Sequence, residues 1–304
     1  MTDVTILSGD ATGIGLGEAA KPRGMARRAW EVFAENKLAL GSIGFVIFML
    51  LFCFVGPYIY NTNQTSTDLS LYLCHPSGAH LLGCDDLGYD ELGRLMVGGQ
   101  TSIEVGIAAA VVSVLFGTLY GAISGFAGGI VDAVMMRVVD AGLSLPSLMV
   151  LIIASVIFHP TKTVIIFVIA FFYWFGVARL VRGETLSLRT REYVQAVRVI
   201  GGRPLRSVVR HIVPNAIGTI IVQGTFAVAD SILILAVLGF LTLGVAPPAT
   251  DWGSMLSGGL TYIQGGNYWW LIYPPGVAII LTCISINFIG DALRDAFETR
   301  LQRR

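Results

Sequence analysis

Long apolar stretches separated by short polar segments dominate the hydrophobic pattern of this chain. A helix that crosses a membrane needs about 20 mostly apolar residues. Five stretches reach that length: Leu38–Tyr60, Ile103–Phe126, Thr163–Val181, Ile217–Val245 and Trp269–Ile289. A sixth, Leu143–Phe158, is shorter and becomes long enough only if Val131–Ala141, which carries Arg137 and Asp140, joins it. The pattern predicts an all-α membrane protein with six transmembrane helices.

The composition agrees with a membrane protein. Hydrophobic residues make up 54% of the 304 positions and charged residues 13%, whereas soluble domains carry about 25% charged residues. The segment Met1–Arg28 lacks the apolar core and cleavage site of a signal peptide. Its composition predicts a disordered stretch up to about Pro22. We expect one six-span membrane domain at residues 36–290, between an N-terminal cytoplasmic segment 1–35 and a cytoplasmic tail 291–304.

The basic residues indicate the orientation in the membrane. Lys and Arg near the ends of spans concentrate on the cytoplasmic side. If the N-terminus is cytoplasmic, all of the 20 Lys and Arg residues except Arg94 and Lys162 fall on that side. The opposite orientation would reverse the rule. The sequence therefore predicts two cytoplasmic termini, an extracytoplasmic loop at 61–102 and a cytoplasmic loop at 184–215.

The cytoplasmic loop has the pattern of two short helices. The first shows the i, i+3, i+4, i+7 spacing of an apolar face at Tyr193, Ala196, Val197 and Ile200. Gly201-Gly202 permits a tight turn, and Pro204 suits the first position of a second helix. That helix would share one apolar face among Leu205, Val208, Val209 and Ile212. Two interpretations remain open: a surface lying on anionic lipid, or a docking element for a cytoplasmic protein.

This loop resembles the EAA motif of ABC importer permeases, in which Glu-Ala-Ala is followed by Gly and then by an apolar pair ending in Pro. The corresponding residues are Gln195-Ala196-Val197, Gly201 and Val213-Pro214, so that Gln and Val replace the Glu and the second Ala. The resemblance implies that the loop is a coupling helix, which sits in a cleft of an ATPase subunit and converts its closure into movement of the spans. The residues implied in coupling are Glu192, Gln195, Ala196, Val197, Gly201, Arg206, Arg210 and Pro214.

Further segments resemble the C-type permease subunit of dipeptide, oligopeptide and nickel importers. They are Asn36–Leu40, Gly83–Asp90, Ser102–Gly106, Gly121–Gly129, Val138–Asp140, Leu145–Ser147, Gly239–Gly244 and Pro247-Pro248. The family favours Thr, Arg, Ser and Arg at the positions of Cys84, Tyr89, Gly93 and Gln100. The resemblance runs from about Asn36 to Phe297 and implies the type I ABC importer permease fold in a bacterial inner membrane.

The same resemblance implies a set of partners. It predicts a homologous permease subunit, two ATP-binding subunits that hold ATP and Mg, and an extracytoplasmic substrate-binding protein. The chain itself has no P-loop, since that motif needs a Lys after a Gly and none of Lys21, Lys37 and Lys162 follows one. We therefore expect no enzymatic activity and no cofactor in this chain, and ATP hydrolysis by separate subunits.

The histidines give a weak indication of metal binding. None of the four histidines forms an i, i+4 pair. His75 and His80 could bind a metal together with Asp85 or Asp86, but solvated loop histidines are the favoured interpretation. The sequence therefore predicts no metal site.

The four cysteines divide into two kinds. Cys53 and Cys283 lie within spans and are expected to act as small apolar residues. Cys74 and Cys84 both fall in the predicted extracytoplasmic loop, where disulfides persist. We expect a disulfide between Cys74 and Cys84, which would stabilise a loop of this length by about 3 kcal/mol.

Two features of the spans call for an explanation. Gly117, Gly121 and Gly125 share one face of the second span and allow close helix packing, either within this subunit, which we favour, or against a partner permease. Asp230 lies in the middle of its span, where a charge facing lipid costs about 3 kcal/mol. It is either buried, hydrogen-bonded to a neighbouring span or held neutral by a raised pKa, or it is exposed on the translocation path. Ser231 beside it is polar, but adjacent helix positions point about 100° apart.

Other classes of membrane protein fit less well. A secondary transporter often has an inverted repeat, a channel needs a filter segment, and a membrane-embedded enzyme needs paired acids or histidines, and none of these is evident. The resemblance implies an ATP-driven importer of peptides. The alternatives are the same machinery serving nickel or another small solute and, more distantly, a stand-alone secondary transporter.

Overall fold

The computed structural model describes residues 33–62, 64, 66–158, 161–192, 195, 208–262 and 266–298, which are almost entirely helical. The α-helices are α1 Lys37–Phe54, α2 Gly56–Ile59, α3 Glu91–Ala127, α4 Gly129–Ser144, α5 Ser147–Ile157, α6 Lys162–Leu188, α7 Val213–Asn215, α8 Ile217–Phe240, α9 Trp252–Leu260 and α10 Tyr273–Glu298. Short 3₁₀ turns occupy Leu69–Leu71 and Trp269–Leu271, and a π-helical turn occupies Val208–Ile212.

Five helices in the described residues are long and apolar enough to cross a membrane, which confirms the five long spans. They are α1, α3, α6, α8 and the helix that includes α10. The limits of α3 differ from the prediction, because α3 begins at Glu91 and the preceding loop is shorter than 61–102. Gly98 and Gly99 explain the difference: both face Met255 or Trp252 of α9, so this part of α3 is covered by protein and needs no apolar surface.

The sixth predicted span is a bent pair of helices. α4 and α5 meet at an angle of 83° across a short break and together meet the criteria for a span. The break follows from Pro146, because a residue before proline favours extended backbone and Leu145 has φ −80° and ψ 137°. The prediction of a joined segment is therefore correct in extent, but the two halves are not one continuous helix.

Three glycines of α3 allow close packing against α6. A Cβ atom at Gly117 would lie 2.8 Å from the carbonyl oxygen of Trp174, and one at Gly125 would lie 2.9 Å from that of Arg182. At Gly121 the added atom would collide with the carbonyl of Ala178. The glycine face therefore packs within this subunit, which was the favoured alternative.

Buried hydrogen bonds of Asp251 and Trp252 hold α9 against α3 and α8. The buried Asp251 caps α9 by accepting hydrogen bonds from the backbone amide and hydroxyl of Ser254, at 3.0 and 2.7 Å. The indole of the fully buried Trp252 donates to the carbonyl of Leu95 at 2.9 Å. Gly239 has no room for a side chain because Asp251 occupies that space. The segment after α8 therefore folds back and covers the first turns of α3.

Candidate functional site

One end of the bundle, called here the basic end, contains Arg182 and Arg189 near the end of α6. Arg182 donates two hydrogen bonds of 2.6 Å to the carboxylate of Asp132 in the first turn of α4. The hydroxyl of Ser124 donates to the same carboxylate at 2.6 Å. Arg189 donates to the carbonyl of Gly125 at 2.9 Å. These bonds fasten the end of α6 to the junction between α3 and α4.

The predicted coupling loop leaves the bundle at this basic end. Ala196, Val197, Gly201 and Arg206 lie outside the described residues. Glu192 and Gln195 are exposed, and the side-chain amide of Gln195 donates to the carbonyl of Thr190 at 3.2 Å. Arg210 and Pro214 are also exposed. The described members of the predicted coupling set therefore all face outward.

The last part of the coupling loop is anchored in the bundle. Val208 and Ile212 are buried in a cluster with Phe126 of α3 and Val181 of α6. Val209 is 53% exposed, so it does not share their face as the helical pattern predicted. The reason is local geometry, because Val208–Ile212 forms a π-helical turn, which changes the angle between successive side chains.

A polar contact links the helices on either side of the coupling loop. The hydroxyl of Thr219 at the start of α8 donates to the carboxylate of Glu184 in α6 at 3.1 Å. Glu184 lies one turn before the end of α6, and Thr219 follows the anchored turn. This hydrogen bond therefore connects the last turns of α6, which leads into the loop, to the first turn of α8, which follows it.

Asp230 is exposed on the surface of this subunit, in the middle of α8. Its carboxylate forms no hydrogen bond with any residue in the described part of the chain, so the buried, hydrogen-bonded alternative is wrong for the isolated subunit. Ser231 is fully buried, and its hydroxyl has no partner among the described residues. Ser231 therefore does not share the exposed surface of Asp230 in this subunit, and its assignment to the path stays a prediction.

An apolar groove of about 480 Å³ lies between α1, α3, α8 and α10. The wall that α8 contributes includes Val228 and Ile232. Asp230 is two positions from Val228 and from Ile232, and at about 100° per residue it points roughly 200° away from that wall. The groove and Asp230 therefore occupy different faces of α8. The sequence pattern did not reveal the groove, because its lining residues come from four separate spans.

The opposite end, called here the loop end, is built around Asp90. Its side chain caps α3 by accepting from the amide of Gly93 at 2.8 Å. The other carboxylate oxygen accepts from the hydroxyl of Tyr60 at 2.9 Å and lies 2.8 Å from Nδ1 of His80. Cys74 and Cys84 form a disulfide in the same loop.

The two loop histidines have different environments. The ring of His75 makes an edge-to-face contact with Trp270, with centroids 5.0 Å apart, while His80 contacts Asp90. Asp86 accepts a hydrogen bond from Tyr262 at 3.2 Å. The two histidines therefore do not form a metal site with Asp85 or Asp86, the grouping that the sequence left as the less favoured interpretation. His80 instead lies near the two cysteines.

Asp85 connects the loop to the first turns of α3. It accepts from the amides of Tyr89 and Leu87 at 2.8 and 3.0 Å, and its carboxylate lies 3.6 Å from Nε of Arg94. Burial raises the pKa of Asp85 above its ordinary value, and these hydrogen bonds and the positive charge of Arg94 oppose that rise. Arg94 also lies over the ring of Tyr89, 4.5 Å from its centroid.

Comparison with known proteins identifies the class of this bundle. Residues 117–303 match the family described as binding-protein-dependent transport system inner membrane component, and residues 24–74 match the N-terminal TM domain of oligopeptide transport permease C. The chain is 35% identical to the dipeptide transport system permease protein of Bacillus subtilis over 90% of this chain and 86% of that protein.

Other relatives give the same result. The oligopeptide transport system permease protein of Bacillus subtilis is 36% identical over 89% of this chain and 88% of its own length. The di/tripeptide transport system permease protein of Pseudomonas aeruginosa is 34% identical over 90% of this chain and 91% of its own length.

The apolar helices and these matches define a multi-pass permease subunit of an ABC importer. The chain belongs to the binding-protein-dependent transport system inner membrane component family. This finding confirms the resemblance to C-type permease subunits and the inner-membrane location.

Proposed function

We propose that this chain is the C-type permease subunit of an ATP-driven peptide importer. It forms the translocation path with a homologous permease and works with two ATP-binding subunits and an extracytoplasmic binding protein. The observation that carries this proposal is the similarity, over about nine-tenths of the chain, to permeases named for dipeptides and oligopeptides. Peptides are therefore the substrate class, and nickel or another small solute is the alternative that the experiment below distinguishes.

The basic end faces the cytoplasm in this proposal. The distribution of Lys and Arg supports that orientation, since Arg182, Arg189 and Arg210 lie at this end and, among the described basic residues, only Arg94 and Lys162 fall on the other side. The loop end then faces outward, where a disulfide persists. Both termini are cytoplasmic in this arrangement.

The coupling loop transmits force through its anchored turn. Closure of the ATPase subunits displaces the exposed residues Gln195 and Arg210. Val208 and Ile212 are packed between α3 and α6, and a close-packed interior transmits displacement because it has few voids to absorb it. The Glu184–Thr219 contact makes α6 and α8 respond together.

Asp230 faces the translocation path or the permease that shares it. A charge exposed at mid-membrane depth is costly against lipid, and Asp230 has no hydrogen-bonding partner in the described part of its own subunit. A water-filled path satisfies the carboxylate by hydration. A carboxylate there also attracts the positively charged amino group of a peptide.

Copurification and transport test this function. We expect the tagged chain to purify with a homologous permease and two ATPase subunits, and the complex in proteoliposomes to take up labelled peptide only with ATP and the cognate binding protein. Nickel uptake measured in the same vesicles is the comparison. ATP-dependent nickel uptake without peptide uptake would replace the substrate class, and solute movement without ATP would contradict the importer itself.

A further inference from the structure

Cys74, His80 and Cys84 bring three metal-binding side chains together at the loop end. Their ligand atoms, one from each residue, all lie within 4.8 Å of one another. Cys84 is buried, and the other two residues are half-buried. Two cysteine thiolates and one imidazole are a ligand set that binds Zn²⁺.

Asp90 orients the imidazole of His80. Nδ1 of His80 lies 2.8 Å from a carboxylate oxygen of Asp90, which is 1% exposed. The same oxygen accepts from the hydroxyl of Tyr60. A metal-ligating histidine almost always donates its other ring N–H to a carboxylate, carbonyl or water. The bond to Asp90 therefore leaves Nε2 as the nitrogen available to a metal.

Backbone bonds hold the two cysteines close independently of their sulfur atoms. The amide of Cys84 donates to the carbonyl of Cys74 at 2.9 Å, and the amide of Leu73 donates to that of Asp85 at 3.0 Å. The indole of the buried Trp270 donates to the carbonyl of Cys84 at 3.3 Å. The two thiols therefore stay near each other and near His80 when the disulfide is opened.

We propose that Cys74, Cys84 and His80 form a Zn²⁺ site when the disulfide is reduced, with Asp90 as the positioning residue. An external dithiol supplies two electrons and two protons, becomes a disulfide itself, and leaves two cysteine thiols. Zn²⁺ then binds both sulfurs as thiolates and releases the two protons. Nε2 of His80 is the third ligand, and water takes the fourth position, as in zinc sites with three protein ligands.

The site gives the loop a cross-link in both redox states. The disulfide joins residues 74 and 84 under oxidising conditions, and the metal joins them after reduction. This proposal concerns the loop alone, so it does not depend on which solute is transported.

Metal binding to reduced protein tests the proposal. The full-length protein, with Cys53 and Cys283 replaced by alanine, is reduced with dithiothreitol, freed of reductant without oxygen, and titrated with Zn²⁺ alone or Co²⁺ alone. We expect one equivalent per chain and the Co²⁺ absorption of a tetrahedral thiolate site, and no such binding to oxidised protein. His80→Ala should weaken binding, and Asp90→Asn should weaken it by about 10- to 100-fold.

His75→Ala is the matched control, because His75 is the neighbouring loop histidine and contacts the ring of Trp270 edge-on rather than Asp90. We expect this variant to bind Zn²⁺ as the parent does. Equal binding by His80→Ala and His75→Ala would overturn the role of His80, and binding that persists in Cys74→Ser would overturn the site. A measurement on the unmodified chain needs no variant: Zn²⁺ should protect Cys74 and Cys84 of the reduced protein from alkylation, and unprotected thiols would contradict the proposal.

Discussion

Arg182 and Asp132 form a bidentate ion pair that joins two helices far apart in the sequence. Nε and Nη2 of Arg182 each donate to a different carboxylate oxygen of Asp132 at 2.6 Å. Parallel bonds of this kind fix orientation as well as distance. The pair therefore fixes the angle at which α6 passes the start of α4, immediately before α6 leads into the coupling loop.

Replacing Asp132 should destabilise the basic end. Asp132→Ala removes the acceptor of both Arg182 bonds and of the Ser124 bond, and hydrogen bonds to charged groups contribute about 1.5–3 kcal/mol each at most. We expect a loss of about 2 kcal/mol, because Arg182 is partly exposed to solvent. Thermal unfolding in detergent measures the change.

Asp140→Ala is the matched control for Asp132→Ala. Asp140 also pairs with an arginine of α6, Arg179, but both side chains of that pair are about half exposed. Exposed pairs contribute little to stability, so the control should unfold close to the unmodified protein. Equal losses in the two variants would show that the buried carboxylate has no special role.

Gly201→Val should separate ATP hydrolysis from transport. Gly201 lies outside the described residues, and this prediction rests on the turn that Gly201-Gly202 permits, which a β-branched residue resists. We expect ATPase activity to remain while the rate of uptake falls by about 10-fold or more. A fall of about 10-fold corresponds to a rise of roughly 1.4 kcal/mol in the activation free energy of uptake. Charge reversal at Arg206 or Arg210 should weaken ATPase docking more mildly.

The two activities are measured together in proteoliposomes. Gly183→Ala in α6 is the control, because a Cβ there meets no described atom within 4 Å. Normal uptake together with normal stimulated ATPase activity in Gly201→Val would mean that coupling takes place elsewhere.

Gly121→Ala should loosen the contact between α3 and α6. The added methyl group collides with the carbonyl of Ala178, and backbone atoms cannot rotate away as a side chain can. Overpacking of this kind costs about 1–3 kcal/mol. Unfolding in detergent measures the loss, with Gly176→Ala as the control because its Cβ position is open. A stable Gly121→Ala variant would show that the helices separate at little cost.

The thiol of the variant Asp230→Cys should react with water-soluble thiol reagents. In a background in which the native cysteines are replaced, we expect a thiol reagent to label Asp230→Cys to an extent that changes with nucleotide state, because the path opens and closes. Ile221→Cys is the control, because Ile221 is 42% exposed and lies about 180° round α8 from Asp230. Protection in every state, with full transport by Asp230→Asn, would make Asp230 a structural residue.

The disulfide should be found in protein taken from its native compartment. Mass mapping without reduction should detect the peptides of Cys74 and Cys84 joined, with Cys53 and Cys283 free. Reduction should lower the free energy of unfolding by about 3 kcal/mol in the absence of metal, because the unfolded chain regains the entropy that the closed loop had removed. Two free thiols at positions 74 and 84 would contradict this prediction.

Particular residues show how far the sequence could predict the site. The segment around Gln195 was recognisable because its motif is local. The beginning of α3 was not, because Gly98 and Gly99 give no apolar signal and their cover, Trp252, is remote in the chain. The partners of His80 were not predictable either, because Asp90 and the cysteines share no fixed spacing with it.

By itself, the sequence determined five long spans, the predicted orientation and the permease family, because hydrophobic length and basic flanks are properties of each segment alone. Only the tertiary structure decided which face of each helix is buried. In that structure Gly121 packs against α6, Asp230 is exposed while Ser231 is buried, and Asp132 pairs with Arg182. These outcomes depend on contacts between residues distant in the chain, which the packing of whole helices determines and no local pattern encodes.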